Sequence, residues 1–326
     1  MSPIELPDWS RAHGSPLFAA RLRTVPQDFQ VSEQLGWEFS GDGEHDYLWI
    51  EKTDANTEWV ARQLASHAGV PAKDVGYAGL KDRHAVTLQW FSVPRWNAPV
   101  WGELDIEGVR IIDVQRHLRK LRRGAHRANT FRITLRLDAG PDADGVAKRL
   151  AMIRKDGVPN YFGEQRFGRE GGNLRLANDW AAGRRLPRNK QSFAISTIRS
   201  FLFNQALAGR VQEKTWNQFV PGDIANLNGT RSVFDVLEIS DELRQRCREM
   251  DVHPAGILAG EGSNAVPEIW QTALDQRRVE RGTRSFRLPV QDLTSQTAEA
   301  AMVLSFTLER GAFATAVLRE LCDFAA

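Results

Sequence analysis

Hydrophobic and polar residues alternate most regularly in TFRITLRL, Thr130 to Leu137. Phe131, Ile133, Leu135 and Leu137 share one face there, and Thr130, Arg132, Thr134 and Arg136 the other. The pattern predicts a strand with one apolar and one cationic face. YLWIEK (Tyr47 to Lys52), VTLQWFSV (Val86 to Val93), VRIIDV (Val109 to Val114) and AMVLSFTLE (Ala301 to Glu309) read as further strands, and in PQDFQVSE (Pro26 to Glu33) Phe29 and Val31 alternate with polar residues. Helical spacing first appears after Asn56-Thr57, a capping pair, with Trp59, Val60, Gln63, Leu64 and His67 leading to a stop at Gly69. A second helix is expected over Val146 to Lys155, ended by Asp156-Gly157 and Pro159. Others are expected over Ser192 to Lys214, Asp241 to Met250, Pro267 to Arg281 and, closing the chain, Phe313 to Phe324. Short strands with few helices between them predict a mainly antiparallel sheet in an α+β domain. The helix-rich middle third then reads as an insert between two parts of that sheet domain.

At 326 residues the chain exceeds the usual size of one domain, which favours two. With 42% hydrophobic and 26% charged residues and no apolar run near the roughly 18 residues a membrane span needs, it reads as globular and cytoplasmic. The opening MSPIELPDWSRAHG lacks the basic start and apolar core of an export signal. Cys247 and Cys322 are the only cysteines, each among apolar helix-like neighbours, so buried free thiols are expected rather than a disulfide or a zinc site.

Net charge is only +2, but of 43 basic residues 8 are lysine, and arginine is the cation that grips phosphate with two N–H groups and stacks on bases. RHLRKLRRGAHR, Arg116 to Arg127, holds six Lys or Arg, two His and no acid, with a second cluster at GRRLPRNK, Gly183 to Lys190. Such runs are usually solvated faces; this density repels itself unless an anion neutralises it, which makes a polyanion the natural partner. Arg119, Lys120, Arg122 and Arg123 are the candidate backbone contacts.

Two stretches carry candidate chemistry. In GYAGLKDRHA, Gly76 and Gly79 permit unusual backbone angles or close approach, and Asp82 follows in a loop between Lys81 and Arg83. The flanking cations favour an ionised carboxylate, suited to a nucleophile or base, although by spacing alone a surface ion pair is the commoner reading. In NYFGEQRFGREGGNLR, Asn160 to Arg175, aromatics, glycines and arginines interleave, a mixture that fits nucleic acid, with Arg166 and Arg169 as candidate phosphate contacts, or a packed domain junction. No GxGxxG, GxxxxGK[ST], HExxH or paired CxxC occurs, and His45 and His84 are isolated. No metal or nucleotide cofactor is therefore expected.

GYAGLKDRHAVT, RANTFRITLR, VPNYFGEQRFG and GAFATAVLREL, in that order and spanning nearly the whole chain, resemble the TruD family of tRNA pseudouridine synthases. The resemblance implies a pseudouridine-synthase-like catalytic domain of residues 1–154 and 288–326, with an inserted helix-rich α/β TRUD domain over residues 155–287. It makes Asp82 the catalytic residue, and places Phe29, Asn129, Phe131 and Phe313 around the uridine, with Lys81 and Arg23 beside them. Two positions depart from the family's pattern: Gln27 stands where glutamate is frequent, and Arg23 where lysine is usual. The implied activity is isomerisation of uridine to pseudouridine at position 13, in the D-arm of tRNA. The N1–C1′ bond breaks, the uracil turns, and C5 joins C1′, which needs no hydride, metal or energy source. A carboxylate beside C1′ can stabilise oxocarbenium character, form an adduct or take the C2′ proton, while aromatic faces receive the extruded base. tRNA is the implied partner of a monomer, with no protein or membrane partner. An RNA-binding or tRNA-folding protein that uses the basic surface without catalysis is the alternative.

Overall fold

The period-two stretches form the strands of one sheet in a computed structural model, which describes residues 6–263, 266–298 and 300–325 apart from the side chains of Arg169 and Ala325. The first part of the chain supplies β1 (Ala19–Arg21), β2 (Phe29–Gln34), β3 (His45–Thr53), α1 (Thr57–Ala68), β4 (Gly76–Tyr77), β5 (Val86–Pro94), β6 (Val109–His117) and β7 (Ala128–Arg136). The middle runs through α2 (Ala143–Asp156), β8 (Val158–Pro159), α3 (Gly172–Ala181), α4 (Arg188–Gln212), β9 (Ile224–Leu227), β10 (Val233–Asp235), α5 (Asp241–Arg248), β11 (Val252–Leu258), α6 (Glu268–Gln276), β12 (Gly282–Ser285) and β13 (Arg287–Leu288). β14 (Gln291–Ala298), β15 (Ala301–Glu309), α7 (Ala314–Leu318) and β16 (Asp323–Ala325) complete it.

Two compact units result: a sheet unit of Leu17–Ala143, Gln291–Gly311 and Cys322–Ala326, and a helical unit of Met1–Pro16, Asp144–Val290 and Ala312–Leu321. Residues 155–287 fall within the helical unit. In the sheet unit the strand order is β14-β15-β7-β2-β5-β3-β6, with β4 on β5 and β1 on both β7 and β16. Among the described residues only β2–β5 and β1–β16 pair in parallel, which makes the sheet mainly antiparallel and the fold α+β.

Register decides which side chains share a face. Phe29, Val31 and Glu33 of β2 lie opposite Ile133, Phe131 and Asn129 of β7, so these six occupy one face, continued by Leu308, Phe306 and Leu304 of β15. On the β3–β5 side that layer is closed by α1, whose Val60 and Leu64 are fully buried against Leu48, Ile50, Phe91 and Val93. The helix begins where expected, with Asn56 Oδ1 accepting from Glu58 N at 2.8 Å, and ends at a left-handed Gly69.

The helical unit departs from the sequence expectation in several places, among them α3, which was not expected. The predicted closing helix spans only Ala314–Leu318, and the chain then turns into β16, parallel to β1. Six of the seven residues from Ala316 to Cys322 are buried, Arg319 excepted, and no single helical stripe could bury them all. The middle third also contains an antiparallel sheet, β10-β9-β11-β12, that its sequence conceals. β11 carries Pro254 and Gly256, residues that read as a turn; the Pro254 carbonyl instead accepts from Phe286 N–H at 2.8 Å, and a Cβ on Gly256 would fall 2.5 Å from the Phe286 ring. Cys247 and Cys322 are both buried, and neither forms a disulfide. No helix among the described residues is long and apolar enough to cross a membrane.

Candidate active site

The loop between β4 and β5, which carries Gly79-Leu80-Lys81-Asp82, is anchored at nearly every residue. Gly79 O accepts from Gln89 Nε2 at 3.3 Å, Lys81 N–H donates to Thr57 Oγ1 at 3.1 Å, and Thr57 Oγ1 donates to Gln89 Oε1 at 2.9 Å. Lys52 Nζ donates to Asp82 O at 3.1 Å and to Ala55 O at 2.6 Å. Ala78 O accepts from Gly124 N–H, the anchor of the basic loop that follows β6. Gly76 admits that loop: a Cβ there would lie 2.3 Å from Leu121 O and 2.5 Å from Ser92 Oγ. Gly79 faces looser surroundings, with His126 Cε1 and Lys81 Nζ at 3.5 and 3.8 Å from the position of a Cβ. Between its pinned neighbours Leu80 stands 62% exposed.

Asp82 keeps 29% of its side chain exposed and meets Arg23 Nη2 through Oδ2 at 2.8 Å, while Oδ1 accepts from His84 N–H at 3.1 Å. Arg23 adopts a left-handed backbone, φ 59°, a conformation that costs a non-glycine residue about 1–2 kcal/mol. Its guanidinium lies 4.2 Å from the centre of the Phe29 ring. Burial pushes the Arg23 guanidinium down from its ordinary value, and Asp82 opposes that shift. Phe29 meets Phe131 edge to face at 6.2 Å, and Phe131 stacks on Phe306 at 5.5 Å. The acid, the arginine and the three phenylalanines therefore form one contiguous chain of contacts.

Lys81 points away from Asp82, into the sheet. Its Nζ pairs with Glu33 Oε2 at 2.7 Å, both side chains being almost wholly buried, and Glu33 Oε1 accepts from Trp90 N–H at 3.3 Å. Beside this pair Asn129 Nδ2 donates to His126 Nε2 at 3.4 Å. Burial, then the charges of Lys81 and Arg310, push the His126 imidazole down to about 4. Burial likewise pushes the Lys52 ammonium down to about 8, with Lys81 adding to the shift and Asp82 opposing it.

Asp28 and Gln27 do not join this group. Asp28 is buried and takes both Nε and Nη2 of Arg136, a two-pronged pair that fastens the start of β2 to β7, while Gln27 is exposed. Of the basic run, Arg119, Arg122 and Arg123 are exposed; Lys120 Nζ donates to Lys73 O at 2.5 Å, and the Arg123 guanidinium lies over Tyr77 at 3.6 Å.

Phe313 and Arg166 belong to the helical unit. Phe313 meets Phe162 edge to face at 5.9 Å, and Gly163 makes room for the Phe313 segment. Arg166 is half-buried and donates to Ser196 Oγ at 3.2 Å, and burial lowers its pKa. Tyr161 and Phe167 are buried, so much of the aromatic-arginine stretch packs a core rather than presenting stacking faces. The Arg169 side chain lies outside the described residues.

The sequence reading missed Glu33, Lys52 and His126. Two of them carried a signal: Glu33 continues the core register of Phe29 and Val31, and Lys52 that of Leu48 and Ile50, so each placed a charge where alternation demanded an apolar residue.

Fold and site define an α+β protein whose sheet supports one accessible acid among cations and aromatics, beside a basic loop. The family model of tRNA pseudouridine synthase D (TruD) matches residues 12–178 and 172–321. The chain is 45% identical to the tRNA pseudouridine synthase D of Methylococcus capsulatus over 97% of its own length and 95% of the relative's, and 43% identical to that of Nitrosococcus oceani over 94% and 91%. A Methanosarcina mazei crystal structure assigned to TruD shares the fold at a TM-score of 0.70 and 19% identity, across 96% of this chain and 95% of that one. The chain belongs to the TruD family.

Proposed function

We propose that this protein isomerises uridine to pseudouridine in tRNA, at position 13 in the D-arm, with Asp82 as the catalytic carboxylate. The supporting observation is the setting of Asp82: a partly exposed acid on a pinned loop, held by Arg23 across the face of Phe29. Isomerisation breaks N1–C1′, forms C5–C1′, removes the C5 proton and returns a proton to N1, so atoms balance without a co-reactant. A carboxylate placed at the sugar answers the charge that develops on C1′, as it does at other glycosidic centres. An anchored loop suits that task, since catalysis depends on a fixed approach of the reacting atoms. The uridine leaves its stack to reach the acid; Phe29 and Phe131 form the apolar wall and Asn129 reads the base edge. Arg119, Arg122 and Arg123 hold the phosphates of the tRNA, and the protein acts as a monomer in the cytoplasm without a cofactor.

Chemical mapping of pseudouridine in tRNA from cells with and without this protein tests the reading. One uridine, position 13, should lose its modification in the deletion and regain it with the wild-type gene. An unchanged map would overturn the proposal.

A further inference from the structure

The pair formed by Asn129 and His126 contains two buried polar atoms with no hydrogen-bond partner among the described residues: Asn129 Oδ1 and His126 Nδ1. His126 is 92% buried, its relative exposure being 8%. An unpaired buried acceptor beside an unpaired buried donor is costly unless a ligand meets them. Chemistry fixes who donates. The amide Nδ2 of Asn129 can only donate, so His126 Nε2 accepts and the ring proton sits on Nδ1. Burial, with the neighbouring Lys81 and Arg310 charges, keeps the ring neutral and so able to accept.

The consequence concerns base identity. With Nδ2 engaged by His126, Asn129 offers its oxygen. Uracil presents an N3–H donor at its pairing edge, where cytosine presents a bare N3 acceptor. We infer that His126 is a positioning residue that locks the Asn129 amide with Oδ1 left to accept, so that the pocket accepts the N3–H of uridine and rejects cytidine. Rotation of the amide by half a turn would present Nδ2 and reverse the preference. The placement suits such a role: Asn129 lies opposite Glu33 on β2, Glu33 holds Lys81, and Asp82 is the next residue. This inference rests on the proposed uridine pocket.

Two measurements test it. The first is competition for binding between unmodified substrate tRNA and the same tRNA with cytidine in place of the target uridine. The wild type should favour uridine of the order of 10- to 100-fold. His126→Leu should bring the ratio close to one, and His126→Gln, whose Oε1 can still accept from Nδ2, should restore it. A wild-type ratio in His126→Leu overturns the inference. The second needs no destabilising variant: long-range proton–nitrogen NMR of histidine-labelled wild-type protein at neutral pH, with the His126 signals assigned by their loss in His126→Gln. A neutral ring protonated on Nδ1 is expected, and a ring protonated on Nε2 or on both nitrogens overturns it. Asn129→Ala separates the two levels of the argument. Unimpaired isomerisation and an unchanged ratio in that variant would sink the pocket reading itself. Impaired isomerisation there, with a normal ratio in His126→Leu, would sink only the role of His126.

Discussion

Glu33 and Lys81 are costly to separate. Two nearly buried charges at 2.7 Å lose most of their hydration, and their attraction offsets that loss only while both are present. Glu33→Gln leaves an ammonium buried without a counter-charge and is expected to destabilise the protein by about 3–5 kcal/mol, read from urea unfolding. A variant with wild-type stability would mean that the pair is solvated. The residue scale also shows what the sequence could reveal. Asp82 was visible as a loop acid between cations, but only the ordered family motifs raised it above a surface ion pair. Glu33 and Lys52 were visible as charges out of pattern. His126 carried no signal, because a histidine inside a basic run looks solvated; only the folding of that run back over the Gly76 loop buries it.

At the scale of elements, strands were legible and the ends of helices less so. The alternation of β7 survives unchanged, and Asn56 and Gly69 bound α1 because capping is a local matter. β11 and β16 were hidden because tertiary burial overrode local propensity at Pro254, Gly256 and the Ala316 to Cys322 run. The element that matters most for chemistry is the Gly79–Asp82 loop, and Lys52 on β3 is its clamp. Burial pushes this ammonium down to about 8, below the ordinary lysine value of about 10.4. Below pH about 8 the group is charged whether the chain is folded or not, and its burial opposes folding in full. Above that pH the folded state alone sheds the proton, so stability should rise as pH climbs from about 8 towards the ordinary lysine range. Urea midpoints of wild type minus Lys52→Met should show that rise; a flat difference would contradict the burial of the charge.

Over the whole molecule a net charge of only +2 hides an uneven distribution. Exposed Arg119 and Arg122 lie in the loop that is anchored to the chain just before the candidate catalytic loop, through Gly124 and Ala78. Phosphate contacts release counterions, so each one lost should weaken tRNA binding and reduce the slope of log affinity against log salt by about one. Arg119→Glu with Arg122→Glu is therefore expected to flatten the salt dependence in filter-binding or fluorescence titrations, and an unchanged slope would remove this loop from the RNA-binding surface. Asp82→Asn should leave that slope alone, since its carboxylate is assigned to chemistry rather than to the phosphates.

The most direct test of that assignment follows tritium released from C5 of labelled uridine in unmodified tRNA, using wild-type protein and an Asp82→Asn variant shown by its melting curve to be folded. Wild type should release tritium at the target uridine, and the variant should be slower by at least about a thousandfold with tRNA affinity retained. Release by folded Asp82→Asn at the wild-type rate would contradict the account at its centre.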